Sequence, residues 1–294
     1  MRSVVEISSR PQDTLVLKGR YEQYDMIGAG GLANIYHGWD CVDKRPIAIK
    51  RLTPEAVAAY HNEELGKGES ELLSLCKHPN VVELYDSYKS KSMIYYIMEL
   101  IHGQGLDRIL DRAPLTQEDF IEVAKQALSG LGSIHKQSIL HCDIKPENIM
   151  LDRDPLGKIS VKILDFGLAS FENETKTLAQ LGKKEILGTP EYVSPELISG
   201  ERAQYYSDIY SLGHVFYHAL AGRSAFGHEE IKRIIQLHLE GAPKSLGVLR
   251  PDIGKPIIEA VHAMIERQPQ NRPGNVEEVL KALDQSTSSE VDDC

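Results

Sequence analysis

From Tyr21 onward, apolar and polar residues read as strand, glycine-rich turn, strand, turn and strand through YEQYDMIGAGG, LANIYHGW, CVDKR and PIAIKRL. Successive side chains of a strand point to opposite faces, so the pattern predicts three antiparallel strands joined by turns, the first turn rich in glycine. In the third strand the alternation sets Ala48 and Lys50 on one face and Ile47 and Ile49 on the other. The period then lengthens: Leu72, Leu73 and Cys76 recur at helical spacing, with Glu69 on the same stripe. An acid on a buried face needs a partner, and Glu63, Glu64 and Glu71 fit that phase less well. MIYYIMELIHGQGL returns to strand and runs into a short linker. Beyond it, Thr116 with Asp119 marks a helix start, and Phe120, Val123, Ala124, Ala127, Leu128, Leu131 and Ile134 form one apolar stripe. ILHCDIKPENIML, Ile139 to Leu151, is a short polar loop between apolar shoulders, and KISVKIL follows as the second arm of a hairpin. EIKRIIQLHLEG, KPIIEAVHAMIER and NVEEVLKALD have helical spacing and predict closing helices. Residues 1–20 mix charged and β-branched residues without a period and are expected to be a leader; residues 285–294 are expected to be a solvated acidic tail.

At 294 residues the chain is long enough for two lobes with a cleft between them. Its net charge of −10 argues against nucleic acid as the main partner, since phosphate backbones are bound through clustered Lys and Arg. The cysteines, Cys41, Cys76, Cys142 and Cys294, form no CxxC pair, so neither a disulfide framework nor a zinc site is expected. No run of about 18 uncharged apolar residues is present, and a cytoplasmic protein without a membrane segment is expected.

The candidate chemistry concentrates in the polar loop, where Asp143, Lys145 and Asn148 expose an acid, a cation and an amide together. This DxKxxN set within HCDIKPEN, with Asp165-Phe166-Gly167 across one hairpin and GTPEYVSPE from Gly188 to Glu196, resembles the protein kinases, in particular the eukaryotic-like bacterial serine/threonine kinases. IGAGGLANIY also looks like bacterial members of that family. A dinucleotide-binding reading of the same glycines requires a helix directly after them, whereas Ile35, Tyr36 and Trp39 lead into a strand.

The resemblance spans roughly Tyr21 to Leu283 and implies an α+β bilobal fold: a small antiparallel β lobe with one helix over residues 21–103, and a larger, mainly helical lobe over 104–284. It implies ATP and Mg2+ as cofactors, and protein substrates with serine or threonine acceptors as partners, and it leaves a homodimer open. The backbone of Ile27, Gly28, Ala29, Gly30 and Gly31 would approach the phosphates, and Lys50, paired with Glu69, would hold them. Met98 would be the gatekeeper, Glu99 and Ile101 would meet the adenine edge, and Ile35, Ala48 and Met150 would line its pocket with Ile27. Asp143 would accept the hydroxyl proton, Lys145 would offset charge on the moving phosphoryl group, and Asn148 with Asp165 would bind the metal. Thr189 would contact the catalytic acid and lysine, Glu196 would pair with Arg272, and Asp208 would brace the catalytic-loop backbone.

Some positions depart from the family pattern. Ala33 stands where a third glycine is usual, Ser194 where alanine is usual, and Cys142 where an arginine normally grips a phosphate on the activation segment. Without that clamp, activation-loop phosphorylation at Thr175 or Thr177, with Lys183 and Lys184 as partners, is expected to be dispensable, and Cys142 becomes a candidate thiol sensor. Gly66 and Gly68 are expected to loosen the front of the Glu69 helix. The rival class is a pseudokinase-type nucleotide-binding scaffold, which the intact Lys50, Asp143, Asn148 and Asp165 argue against.

Overall fold

The computed structural model describes residues 15–61, 68–175, 190–227 and 229–288. These fall into two compact units, one built from described residues 15–61 and 83–101, the other from 68–82 and 102–288.

The first unit is an antiparallel sheet of β1 (Leu15–Leu17), β2 (Tyr21–Ala29), β3 (Ala33–Asp40), β4 (Arg45–Leu52), β5 (Leu84–Lys89) and β6 (Ile94–Glu99), in the order β1-β2-β3-β4-β6-β5. One face packs Leu17, Tyr21, Ile47, Ile49, Tyr95 and Ile97 together. The other gathers Ile94, Tyr96 and Met98 with Val57 of the helix α1 (Pro54–His61). Thr53 starts that helix by accepting a hydrogen bond from the Ala56 N–H (3.2 Å), and Pro54 needs no donor at the first turn. Gly38 lets β2 and β3 close up, because a Cβ there would meet the Glu22 carbonyl oxygen at 2.6 Å.

The leader expectation is corrected by β1. Leu15–Leu17 pairs with Gln23–Tyr21, and Lys18 and Gly19 (φ 51° and 64°) form the tight turn between them. Three residues are too short for alternation to show. Helix α1 escaped the strand pattern for a similar reason: it is eight residues long and buries only Ala56 and Val57 deeply.

The second unit is organised on helix α4 (Gln117–His135), whose predicted stripe from Phe120 to Ile134 is fully buried. Thr116 caps it, accepting from the Asp119 N–H at 3.2 Å. Around it lie α2 (Glu69–Leu75), α3 (Leu106–Leu110) and the short strands β7 (Gln104–Gly105), β8 (Ile139–Leu140), β9 (Ile149–Arg153), β10 (Ile159–Ile163) and β11 (Ser170–Phe171). Helices α5 (Pro195–Ile198), α6 (Tyr205–Ala221), α7 (Ile231–Glu240), α8 (Leu246–Leu249), α9 (Lys255–Met264) and α10 (Val276–Ser288) complete the unit. Leu72, Leu73 and Cys76 are buried as their spacing predicts, and Glu69 is half-buried on the first turn of α2.

The loosening role expected of Gly68 is also corrected. Gly68 stands before α2 with φ 114°, a conformation that L side chains rarely adopt, so alanine would strain this boundary instead of firming the helix. Gly66, Glu63 and Glu64 lie outside the described residues.

Helix α6 carries two buried histidines with α7. His214 has no hydrogen-bond partner on either ring nitrogen among the described residues, and it lies among Tyr210, Phe226 and His238. His238 Nδ1 faces the Tyr210 hydroxyl at 2.8 Å. Burial holds His214 well below the usual imidazole range and brings His238 down to about 4, against the pull of the Pro190 and Glu191 carbonyls. Unfolded His238 takes up its proton near 6.5, so between those values the unfolded state binds more protons and acid favours unfolding. Denaturant titration should therefore find stability about 2 kcal/mol lower at pH 4.5 than at pH 7 through His238 alone. In His238→Gln that share of the slope should vanish.

Candidate active site

In the first unit, register decides which side chains share a face. Gly28 pairs with Ile35, Ile35 with Lys50 and Lys50 with Tyr96, while Ala48 pairs with Met98. Paired residues of antiparallel strands project to the same side, so Ile35, Ala48, Lys50 and Met98 share the sheet face opposite Ile47 and Ile49. Met98 also packs against the α1 cluster, and the Glu99 N–H is taken by the Glu83 carbonyl (2.9 Å). Ile101 follows β6 and is half-buried.

The β2–β3 turn contains Gly30 and Gly31, with Gly30 N–H bonded to the Ala33 carbonyl at 2.9 Å. A Cβ at Gly31 would meet nothing within 4 Å, and at Gly28 and Gly30 only ordinary contacts at 3.6 and 3.5 Å. Unlike Gly38, these glycines are not required by the protein's own packing; they leave the backbone open to something outside it. Ile27 beside them is 55% exposed.

In the second unit the polar loop hangs on Asp208 of α6. Asp208 Oδ2 accepts from His141 N–H (2.9 Å) and Oδ1 from Cys142 N–H (2.9 Å), while His135 Nε2 approaches Oδ2 at 2.9 Å. Burial pushes this carboxyl up, but the hydrogen bond and charge of His135, with the charge and amide of His141, hold it below the ordinary aspartate range. Cys142 has φ 62°, costly for a side chain with a Cβ, and the Asp208 bond helps keep it there. His141 is wholly buried, packs edge-on against Phe166, donates from Nε2 to the Leu164 carbonyl (2.8 Å) and accepts the Asp143 N–H on Nδ1 (3.3 Å).

This support presents the three candidate residues together. Lys145 Nζ lies 2.8 Å from Asp143 Oδ2, and Asn148 Nδ2 donates to the same oxygen (2.9 Å) and to the Asp143 carbonyl (2.8 Å). Asp143 Oδ1 keeps no hydrogen bond among the described residues. With its nitrogen so held, Asn148 has its Oδ1 left for a cation. The Ile149–Ile163 pair ends the β9–β10 ladder, and the Leu164 N–H bonds the Asn148 carbonyl (2.8 Å), which places Asp165 directly beside that end. Asp165 has φ 57°, and its Oδ1 accepts the Gly167 N–H at 3.1 Å. Met150, two residues after Asn148, is half-buried on β9.

Below the loop, Arg272 and Glu196 form a buried two-pronged pair, both N–H···O distances 2.9 Å. Burial pushes Glu196 up, but Arg272 and the Ser207 hydroxyl (2.6 Å) hold it below its ordinary value. Every remaining Arg272 donor goes to a carbonyl, of Glu266, Tyr206 or Arg267.

Several expectations change here. Burial and the Asp208 and Asp143 charges push the Cys142 thiol well up, and it packs against the cluster of Leu140, Leu197 and Ala203, so it is an apolar contact and not a thiolate sensor. Thr175 is buried and donates to the Glu172 carbonyl (3.2 Å). Thr177, Lys183, Lys184 and Thr189 lie outside the described residues. His135 was missed, since a lone histidine at a helix end carries no signal that an aspartate 73 residues later will meet it.

With the geometry in place, the comparisons agree. The protein kinase domain family matches residues 21–283, and this chain belongs to that family. It is similar to the serine/threonine-protein kinase pkn2 of Myxococcus xanthus, with 32% identity covering 92% of this chain and 33% of that protein. PrkC of Bacillus subtilis, also a serine/threonine-protein kinase, is 32% identical over 90% of this chain and 40% of its own. The probable serine/threonine-protein kinase PknB of Lactococcus lactis is 30% identical over 93% and 43%. The chain thus spans well under half the length of these relatives.

Asp208→Ala strands two buried amides and the His135 ring, and it should cost about 3 kcal/mol in denaturant-induced unfolding. Full stability in that variant would remove Asp208 as the support of the loop.

Proposed function

We propose that the chain is an ATP-dependent protein serine/threonine kinase, transferring the γ-phosphate of ATP to serine or threonine hydroxyls of protein substrates. The observation that carries the reading is the Asp143–Lys145–Asn148 constellation, in which one carboxylate oxygen is fixed by a cation and an amide while the other keeps no bond among the described residues. Oδ1 of Asp143 takes the proton of the acceptor hydroxyl as its oxygen bonds the γ-phosphorus and the bond to the β–γ bridging oxygen breaks. Lys145, held beside that carboxylate, offsets charge on the transferring group.

On the first unit, the open backbone at Gly28, Gly30 and Gly31 suits phosphate oxygens, and Lys50 supplies the charge for the α- and β-phosphates. Ala48, Met98, Ile35 and Ile27 provide the apolar surface an adenine ring needs. Among the described residues no three His, Cys, Asp or Glu side chains converge as a metal cage. The donors present, a carboxylate and a carboxamide oxygen, suit a hard cation that takes the rest of its shell from phosphate and water. A divalent ion, read as Mg2+, would be held by Asp165 and Asn148 and neutralises phosphate charge when bound. A cytosolic setting belongs to the same reading, supported by Cys76 and Cys142, which form no disulfide among the described residues.

Label from γ-labelled ATP should pass to an oriented serine/threonine peptide library, and Asp143→Asn should cut turnover at least about 100-fold while ATP binding persists. ATP binding by the wild type with no labelled peptide would instead assign the chain to the nucleotide-binding scaffolds. Because Cys142 stands in place of an arginine and packs against the apolar cluster of Leu140, Leu197 and Ala203, it offers no clamp for a phosphate, and phosphatase-treated enzyme should keep its turnover; loss of activity on dephosphorylation refutes this.

A further inference from the structure

Helix α7 is lightly held. Of its ten residues only Ile234 and His238 are buried, with Ile235, Leu237 and Leu239 half-buried, and no side chain caps its start. Among the described residues one side-chain hydrogen bond leaves the helix, between His238 Nδ1 and the Tyr210 hydroxyl of α6 (2.8 Å), and Arg267 reaches the Leu239 carbonyl at 3.3 Å. A helix this short does not persist in water by itself. Its attachment therefore turns largely on one apolar side chain and one imidazole.

That imidazole stands where a charge has no counterpart. The His214 ring of α6 lies 5.0 Å from it, centroid to centroid, with both nitrogens lacking a hydrogen bond among the described residues, and Phe226 packs edge-on at 4.9 Å. The Arg272 guanidinium lies 4.5 Å from the centroid of the Tyr210 ring. Glu196, whose charge also reaches Tyr210, is already bound by Arg272 and Ser207. His238 Nε2 is turned toward the Pro190 and Glu191 carbonyls but closes no hydrogen bond. The proton of the neutral ring therefore belongs on Nε2, and Nδ1 accepts from the phenol. A second proton, taken from solvent onto Nδ1, makes both ring nitrogens donors. The Tyr210 O–H then loses its acceptor, and a cation sits in a dry pocket beside Arg272.

We infer that His238 is an acid-sensitive latch: when it takes up a proton, α7 comes away from α6 while the core around α4 stays folded. Released, the ring binds its proton near 6.5; docked, it does so at about 4, so acid favours the released helix between those values. The change stays local because the α4 stripe from Phe120 to Ile134 is buried without any titrating side chain in it. The latch acts whatever the chain phosphorylates.

The test is hydrogen exchange of the whole chain at pH 7 and pH 5, each amide rate corrected for the intrinsic effect of pH. Protection of the α7 amides should fall at least about 20-fold between the two and depend little on added denaturant, whereas α4 amides should exchange only through full unfolding, with a steep denaturant dependence. His238→Gln keeps an oxygen that can accept from the phenol but takes no proton, so its α7 fall should be about 20-fold smaller than that of the wild type. Should that variant fail to fold, the comparison of α7 with α4 in the wild type decides. Protection of α7 that is the same at both pH values, or that matches α4 in size and denaturant dependence, overturns the latch. An equal fall in the wild type and His238→Gln overturns it as well.

Discussion

One buried carboxylate carries the second unit's chemistry. Removing Asp208 from water is costly, and the cost is offset only because amides from His141 and Cys142 and the ring of His135 converge on it. Those bonds hold two consecutive backbone amides at a fixed point and help keep Cys142 at a positive φ. The next residue in the chain is Asp143. Its place is therefore inherited from a helix more than sixty residues away, through a contact with no bond of its own to any reacting atom.

From that point the geometry passes outward through short links. His141 fastens the loop to Leu164 on one side and to Asp143 on the other; Asn148 ties Asp143 to the end of the β9–β10 hairpin; Leu164 leads directly to Asp165. Each link is a hydrogen bond in a partly buried setting, where losing one partner leaves the other less well satisfied. The same economy appears below, where Arg272 spends its donors on Glu196 and three carbonyls. Glu196 and Tyr192 then belong to one short stretch whose shape is imposed by helices on which it rests.

The sheet unit follows a different logic. Register organises the face that bears Lys50, because pairing Lys50 with Ile35 and Tyr96 sends Ile49 to the opposite side and Lys50 away from the Leu17–Tyr21–Ile97 core. A slip of one residue would bury the lysine. The three glycines in and beside the β2–β3 turn leave space that the protein does not fill, while Gly38, one strand further on, is demanded by close packing.

Much of this was legible in the chain. Strand-like runs broken by glycines and a polar turn located β2, β3 and β4, and period-two alternation gave the faces of Ile47 to Lys50, because a strand's side chains must alternate whatever surrounds it. The stripe from Phe120 to Ile134 announced α4 for the corresponding helical reason, and DxKxxN, DFG and GTPEYVSPE named the family because their chemistry is local in sequence. Short elements stayed silent: β1 has three residues, and the left-handed φ of Gly68 looks in sequence like any loose glycine. Tertiary packing alone decided that His135 would meet Asp208, that Cys142 would be an apolar plug, that Thr175 would be buried and that Tyr192 would find His218. Each of these depends on residues brought together by burial across long separations, and a pattern read along the chain records which side chains must leave water but not which of them will meet.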